Sequence, residues 1–167
     1  MTHVHRVAWL CTVLAWVVPV YAQQPSPRYA SVLESELDAL GLQPQCMVLS
    51  PAVYDCIYPA RSRLDKRDLR AHALYDDTTD TVYVYVTLLS LPENSPALPR
   101  LLRRSMELNW ELLAAKFEWN AQLGELRVSS VMHTDSNFDR RALRALVRSL
   151  DRVIVHHWPE LEHLASS

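Results

Sequence analysis

The sequence predicts an α+β fold: an antiparallel sheet of about five strands packed with three helices, in the order α-β-β-β-α-β-β-α, behind an N-terminal signal peptide. Three observations carry this reading. From Leu98 onward the chain shows helical spacing, then alternation, then helical spacing again. Two strand-like runs, 69–75 and 81–89, flank the acidic turn Asp76-Asp77-Thr78-Thr79-Asp80. The strongly apolar, unbroken run of the chain lies near its start.

That first segment, MTHVHRVAWLCTVLAWVVPVYAQQPS, reads as a secretory signal peptide. Arg6 supplies a weakly positive start, and Val7 to Val18 is an apolar run of about twelve residues, too short to span a bilayer. Pro19 breaks the helix, and Val20-Tyr21-Ala22 suits cleavage after Ala22; a retained anchor is the alternative. Cys11 sits inside the apolar run without small residues before it, unlike a lipoprotein cysteine. No later segment is long and apolar enough to cross a membrane. The expected organisation is a signal peptide over 1–22, a linker over 23–28 and a single domain over 29–164. The mature chain, about 145 residues, is long enough for one sizeable core. It is expected to be exported, to the periplasm or outside the cell of a bacterium.

The full chain carries 17 Lys+Arg against 19 Asp+Glu, a net charge of −2. Losing Arg6 with the leader brings this to about −3, which argues against a nucleic-acid binder with its basic surface. Two cysteines remain after cleavage, Cys46 and Cys56. An even, closely spaced pair in an exported chain favours a disulfide. Closing so short a loop stabilises by about 3 kcal/mol on the chain-entropy model. The rival is a redox-active or metal-binding pair, but there is no Cys-x-x-Cys and no histidine lies close in sequence.

The remaining elements follow in order. Ser26 then Pro27 suits a helix cap and first helical position, Tyr29, Val32, Leu33, Leu37 and Leu40 follow at helical spacing, and Gly41 ends the helix. Gln45 to Ala60 suits two short strands around a Ser50-Pro51 break. Arg61 to Arg70 is dense in both charges and reads as a solvated connection or short helix. In the strand 81–89, Val82, Val84, Val86 and Leu88 share one face, and Tyr83, Tyr85 and Thr87 the other. A second helix runs from about Pro99 to Ala114 with Leu101, Leu102, Ser105, Leu108, Asn109, Leu112 and Leu113 on its inner face. Asn109 among these apolar neighbours needs a hydrogen-bond partner if buried. Phe117 and Trp119 alternate in one strand, and Leu126, Val128, Ser130 and Met132 in the next. Ser136 with Asp139 resembles a capping box. Leu143, Leu146, Val147, Leu150 and Ile154 then stripe a last helix ending near Pro159. Trp110 and Trp158 read as core or dimer packing.

Over 101–161 the Leu-rich helix LLRRSMELNWELL, the hairpin AKFEWNAQLGELRV and the leucine-patterned final helix resemble the YbjN family and, more broadly, the type III secretion chaperone-like (CesT-like) fold. With the first helix and strands 46–89, the resemblance covers nearly the whole mature chain. It implies a non-enzymatic, often dimeric module that grips extended peptide, or a regulator. A homodimer through the second helix is implied by the same likeness. The leader and its cysteine pair depart from secretion chaperones, which work in the cytoplasm.

A search for catalytic chemistry is mostly negative. With only Gly41 and Gly124, the chain has no phosphate-cradling loop and no Gly-x-Ser-x-Gly elbow. His156, His157 and His163 lack a third metal ligand and zinc spacing. The acidic turn lacks the calcium-loop pattern. His72 reads as a surface residue. His133 beside Asp135 precedes a helix, where capping is the ordinary explanation; a small envelope hydrolase using this pair is one alternative function. No metal or cofactor is expected. The favoured reading is an exported protein- or peptide-binding module, possessing no enzymatic activity, whose open sheet face presents Tyr83, Tyr85, Arg127 and Val131 to a partner protein or extended peptide. Tyrosine also fits any half-exposed strand, so a purely structural envelope protein is the other alternative.

Overall fold

The computed structural model describes residues 26–60, 69–135 and 137–166. The expected signal peptide, the charged run 61–68 and Ser136 lie outside these. The element order is α1 (Ala30–Ala39), β1 (Gln45–Ser50), β2 (Val53–Pro59), β3 (Arg70–Asp76), β4 (Thr81–Ser90), α2 (Leu98–Glu111), β5 (Lys116–Asn120), β6 (Glu125–His133) and α3 (Arg140–Ser166). The strands form one antiparallel sheet in the order β1-β2-β3-β4-β6-β5. The α+β class and the three helices are as the sequence predicts. The sheet has six strands against the five of the expected order, because the two short strands read within 45–60 are separate elements joined by a hairpin turn at 50–53. There the Ser50 hydroxyl accepts bonds from the N–H groups of Ala52 and Val53.

Alternation sorts the sheet into two faces. Tyr54, Cys56, Tyr58, Ala71, Ala73, Tyr75, Val82, Val84, Val86, Leu126, Val128 and Met132 point inward and join one core with Leu33 and Leu37 of α1, Leu101 and Leu108 of α2, and Leu143, Leu150, Ile154 and Leu161 of α3. The helices therefore cover one face only. Thr87 opposes Arg127 and Leu89 opposes Leu126, so one extra residue bulges from β4 and both Leu88 and Leu89 are buried.

Several helix ends differ from the sequence reading, each for a local reason. Helix α1 starts at Ala30, not beside Ser26, and Tyr29 at its cap makes no side-chain capping bond. Residues 27–30 form a turn, with Ala30 N–H donating to the Pro27 carbonyl, while Arg28 reaches the acidic turn at Asp77 and Asp80. At the other end Gly41 takes φ +70°, its N–H bonds Asp38 and the Leu42 N–H bonds Leu37, the paired closure that a left-handed glycine permits. Helix α2 stops at Glu111, and Leu112 turns extended, so Leu113 leaves the expected inner face and is 99% exposed. The Lys116 ammonium takes over the Asn109 and Leu112 carbonyls at that end. The cap of α3 is Asp139 itself, whose Oδ1 accepts the N–H groups of Arg141 and Ala142.

Helix α3 does not end at Pro159 but runs through it to Ser166. An interior proline costs about 3 kcal/mol. Trp158 and Leu161, both fully buried on either side of it, offset this, since each large apolar side chain contributes about 1.5–3 kcal/mol on burial.

Candidate interaction face

Among the described residues no helix covers the second face of the sheet, and alternation decides what stands on it. Register places His72 opposite Tyr85, Tyr85 opposite Ser129, Tyr83 opposite Val131 and Leu74 opposite Tyr83. All four residues predicted from the sequence, Tyr83, Tyr85, Arg127 and Val131, are thus brought to this one face. Tyr83 and Tyr85 stack with ring centroids 5.1 Å apart. The Arg127 guanidinium lies 4.7 Å from the Tyr85 centroid, a cation–π distance, and is held there by Glu125 at 3.1 and 2.6 Å. Val131 is exposed beside Tyr83.

The sequence reading missed three members of this cluster. His72, taken for a plain surface residue, is half-buried and stacks almost parallel on Tyr85 at 4.7 Å. Its Nδ1 sits 2.9 Å from Asp55 Oδ2. Asp55 is only 6% exposed, and its other carboxylate oxygen is buried with no hydrogen-bond partner. On the far side, Glu118 accepts the Tyr83 hydroxyl and the Ser129 hydroxyl. The alternation of β2 and β3 held the signal for Asp55 and His72, but only pairing shows that they meet.

The electrostatics follow from this packing. Burial, and then the Glu118 carboxylate, push the Tyr83 phenol up to about 12. Burial also raises Tyr85, with the Arg127 charge pulling the other way. Both rings therefore stay neutral across the physiological range and offer π faces and hydroxyls. The row His72–Tyr85–Tyr83, with Arg127 on one ring, suits apolar, aromatic and hydrogen-bonding contact with a polypeptide more than bond-making chemistry.

The other candidate residues do not assemble into a site. His133 ends β6 and Asp135 lies in the following turn; both are exposed on either side of buried Thr134, with no hydrogen bond joining them. His156 and His157 meet edge to face at 4.7 Å, and His157 lies against Phe117. Among the described residues no group of three or more His, Cys, Asp or Glu side chains is placed to hold a metal ion, and no helix is long and apolar enough to cross a membrane. Cys46 and Cys56 stand directly opposite each other on β1 and β2 and are joined by a disulfide.

The two tryptophans expected in core or dimer packing part company. Trp158 is core, but Trp110 is 91% exposed. With Met106, four residues earlier on α2, it forms an exposed apolar stripe, and Leu113, just past the end of the helix, is exposed as well. Beside the stripe a cleft of about 210 Å³ is lined by Leu102, Ser105, Met106, Phe117, Trp119 and Leu126.

No protein-family model matches the chain, and no curated protein does. Solved structures do match. YbjN from E. coli is similar with a TM-score of 0.56 and 18% identity, covering 77% of this chain and 89% of that one. The ExsC–ExsE complex contains a chain similar at TM-score 0.51 and 12% identity, covering 79% of this chain and 94% of that one. The HopA1–SchA chaperone–effector complex matches at TM-score 0.49 and 13% identity, over 79% and 93% of the two chains. At these identities the likeness is one of fold, and the fold is shared with YbjN and with a chain of the ExsC–ExsE complex.

Proposed function

We propose that this protein is an exported, non-enzymatic binding module that holds another protein, or an extended segment of one, on its open sheet face. The observation that carries this is the open face itself: among the described residues, six strands with the three helices on the opposite side, bearing the ordered row His72–Tyr85–Tyr83 and Arg127. This face holds stacked aromatics and exposed Val131, side chains that interfaces favour. The fold likeness to a chain of the ExsC–ExsE complex, a protein–protein assembly, supports the same reading. The α2 stripe is the surface on which a second copy would sit, making a homodimer. Export rests on the N-terminal apolar segment and on the disulfide, a bond that persists in oxidising compartments.

The test is affinity capture of the tagged full chain, expressed with its own N-terminal segment in its native host, followed by mass spectrometry. A specific protein retained by the wild type and lost with Tyr83→Ala/Tyr85→Ala supports the reading. Capture that is unchanged by the double variant moves the site elsewhere, and the absence of any specific partner favours the purely structural alternative. N-terminal sequencing of the exported form is expected to begin at Gln23; a mature chain that still carries Met1 would sink the export claim. The hydrolase alternative, with exposed and unlinked His133 and Asp135, requires a turnover that either His133→Ala or Asp135→Ala abolishes.

A further inference from the structure

Strand β1 is lightly held. It is an edge strand paired with β2 alone, and four of its six residues are exposed, Met47, Val48 and Leu49 among them. The Cα atoms of Cys46 and Cys56 are 4.0 Å apart, the spacing of a non-hydrogen-bonded antiparallel pair. The backbone groups of Cys46 therefore point away from β2, and a bulge between Val48 and Ser50 interrupts the ladder further along. Pairing on one side only and little burial secure this strand, and such segments open locally at low cost.

Closing β1 also carries a penalty. Met47 stands directly opposite Asp55, on the open face, with Leu74 on the other flank. Between these two apolar neighbours the Asp55 carboxylate is buried, one oxygen on His72 and the other without a partner. An unsatisfied, buried carboxylate oxygen favours any state that returns it to water. The disulfide is the bond that opposes this. It lies on the helix side of the same strand pair, one residue from both Met47 and Asp55.

We propose that the Cys46–Cys56 disulfide is a redox latch: oxidised, it holds β1 over Asp55; reduced, it releases β1 and exposes the Asp55 carboxylate at the margin of the interaction face. The reductant is a dithiol. Its thiolate attacks the half-buried Cys46 sulfur, the bond to Cys56 breaks, and Cys56 leaves as a thiolate and takes up a proton. The second thiol of the reductant then displaces Cys46, so two electrons and two protons reach the protein and the reductant ends as a disulfide. Attack at Cys46 is favoured because Cys56 is fully buried.

Hydrogen exchange read by mass spectrometry on the full chain, with and without dithiothreitol, tests this. The amides that join β1 to β2, those of Gln45, Met47, Asp55 and Ile57, should exchange at least about tenfold faster after reduction, while those of β3, β4 and β6 stay protected. Unchanged exchange in β1, or a rise across the whole sheet together, overturns the latch. Cys46→Ser/Cys56→Ser should reproduce the reduced pattern without reductant. Adding Asp55→Leu to that variant should slow β1 exchange again, because no carboxylate is then buried; exchange as fast as before would remove Asp55 from the device. Should the serine variant fail to fold, the comparison of oxidised and reduced wild type still decides.

Discussion

The side chain of Asn109 completes the sheet at Phe117. Its Nδ2 donates to the Phe117 carbonyl at 2.9 Å and its Oδ1 accepts the Phe117 N–H at 2.7 Å, so one amide on α2 stands in for a neighbouring strand. Strand β5 is an edge, and this pairing satisfies both backbone groups that Phe117 turns away from β6. It also explains why α2 must stop at Glu111: the chain has to fold back within eight residues for Asn109 and Phe117 to meet.

Asn109→Leu should therefore destabilise the protein by about 1–3 kcal/mol, since it strands two backbone groups rather than breaking one surface bond. Urea unfolding measures the loss, and faster exchange at the Phe117 amide should accompany it. A variant as stable as wild type would mean that water replaces the amide without cost.

Glu36, with a side chain 3% exposed, is tied to Arg140 at 2.9 Å and Arg144 at 2.7 Å, joining α1 to α3. The arginines are 58% and 44% exposed, so the pair is lopsided. Removing both arginines strands a buried carboxylate and should cost about 3–5 kcal/mol, whereas Glu36→Leu lets the arginines return to water and should cost well under that. Chemical denaturation of the Arg140→Leu/Arg144→Leu and Glu36→Leu variants checks the order; equal losses would show that the ion pairs behave as surface pairs.

His157 is held below its ordinary value, first by burial against Phe117 and then by the neighbouring His156. The folded state thus favours the neutral ring. Its contribution is complete above the unfolded value of about 6.5 and is lost as pH falls below it towards the folded value. Stability should decline on acidification from pH 7 to 5, and His157→Leu should flatten that part of the profile. A profile that keeps its slope in the variant assigns the dependence to other groups.

Trp110 and Leu113 contribute little to the monomer, so Trp110→Ser/Leu113→Ser should leave the monomer's unfolding free energy within about 0.5 kcal/mol of wild type. The same variant should shift a dimer to monomer in sedimentation equilibrium. A wild-type chain that sediments as a monomer at every concentration would leave the stripe without its second copy.

Much of this architecture was legible in the residue order. The alternation Val82-Tyr83-Val84-Tyr85-Val86 dictated which face of β4 is buried, because successive side chains of a strand point to opposite sides whatever the neighbours. The same rule placed Arg127 and Val131. Local signals failed where a distant group competed. Pro159 reads as a stop, yet the core-facing Trp158 and Leu161 carry the helix through it. Leu113 continues the α2 stripe on paper, but Asn109 and Lys116 end the helix before it.

The sequence by itself determined the α+β class, the strand faces, the Gly41 helix stop and the four residues gathered on the open face, all properties of periodicity and backbone freedom acting over a few residues. Tertiary structure alone decided that His72 rests on Tyr85 and binds Asp55, that Glu36 meets Arg140 and Arg144, and that Trp110 stands in solvent. Those pairings join residues far apart in the chain. They depend on which strands become neighbours and in what register, and no local pattern encodes that.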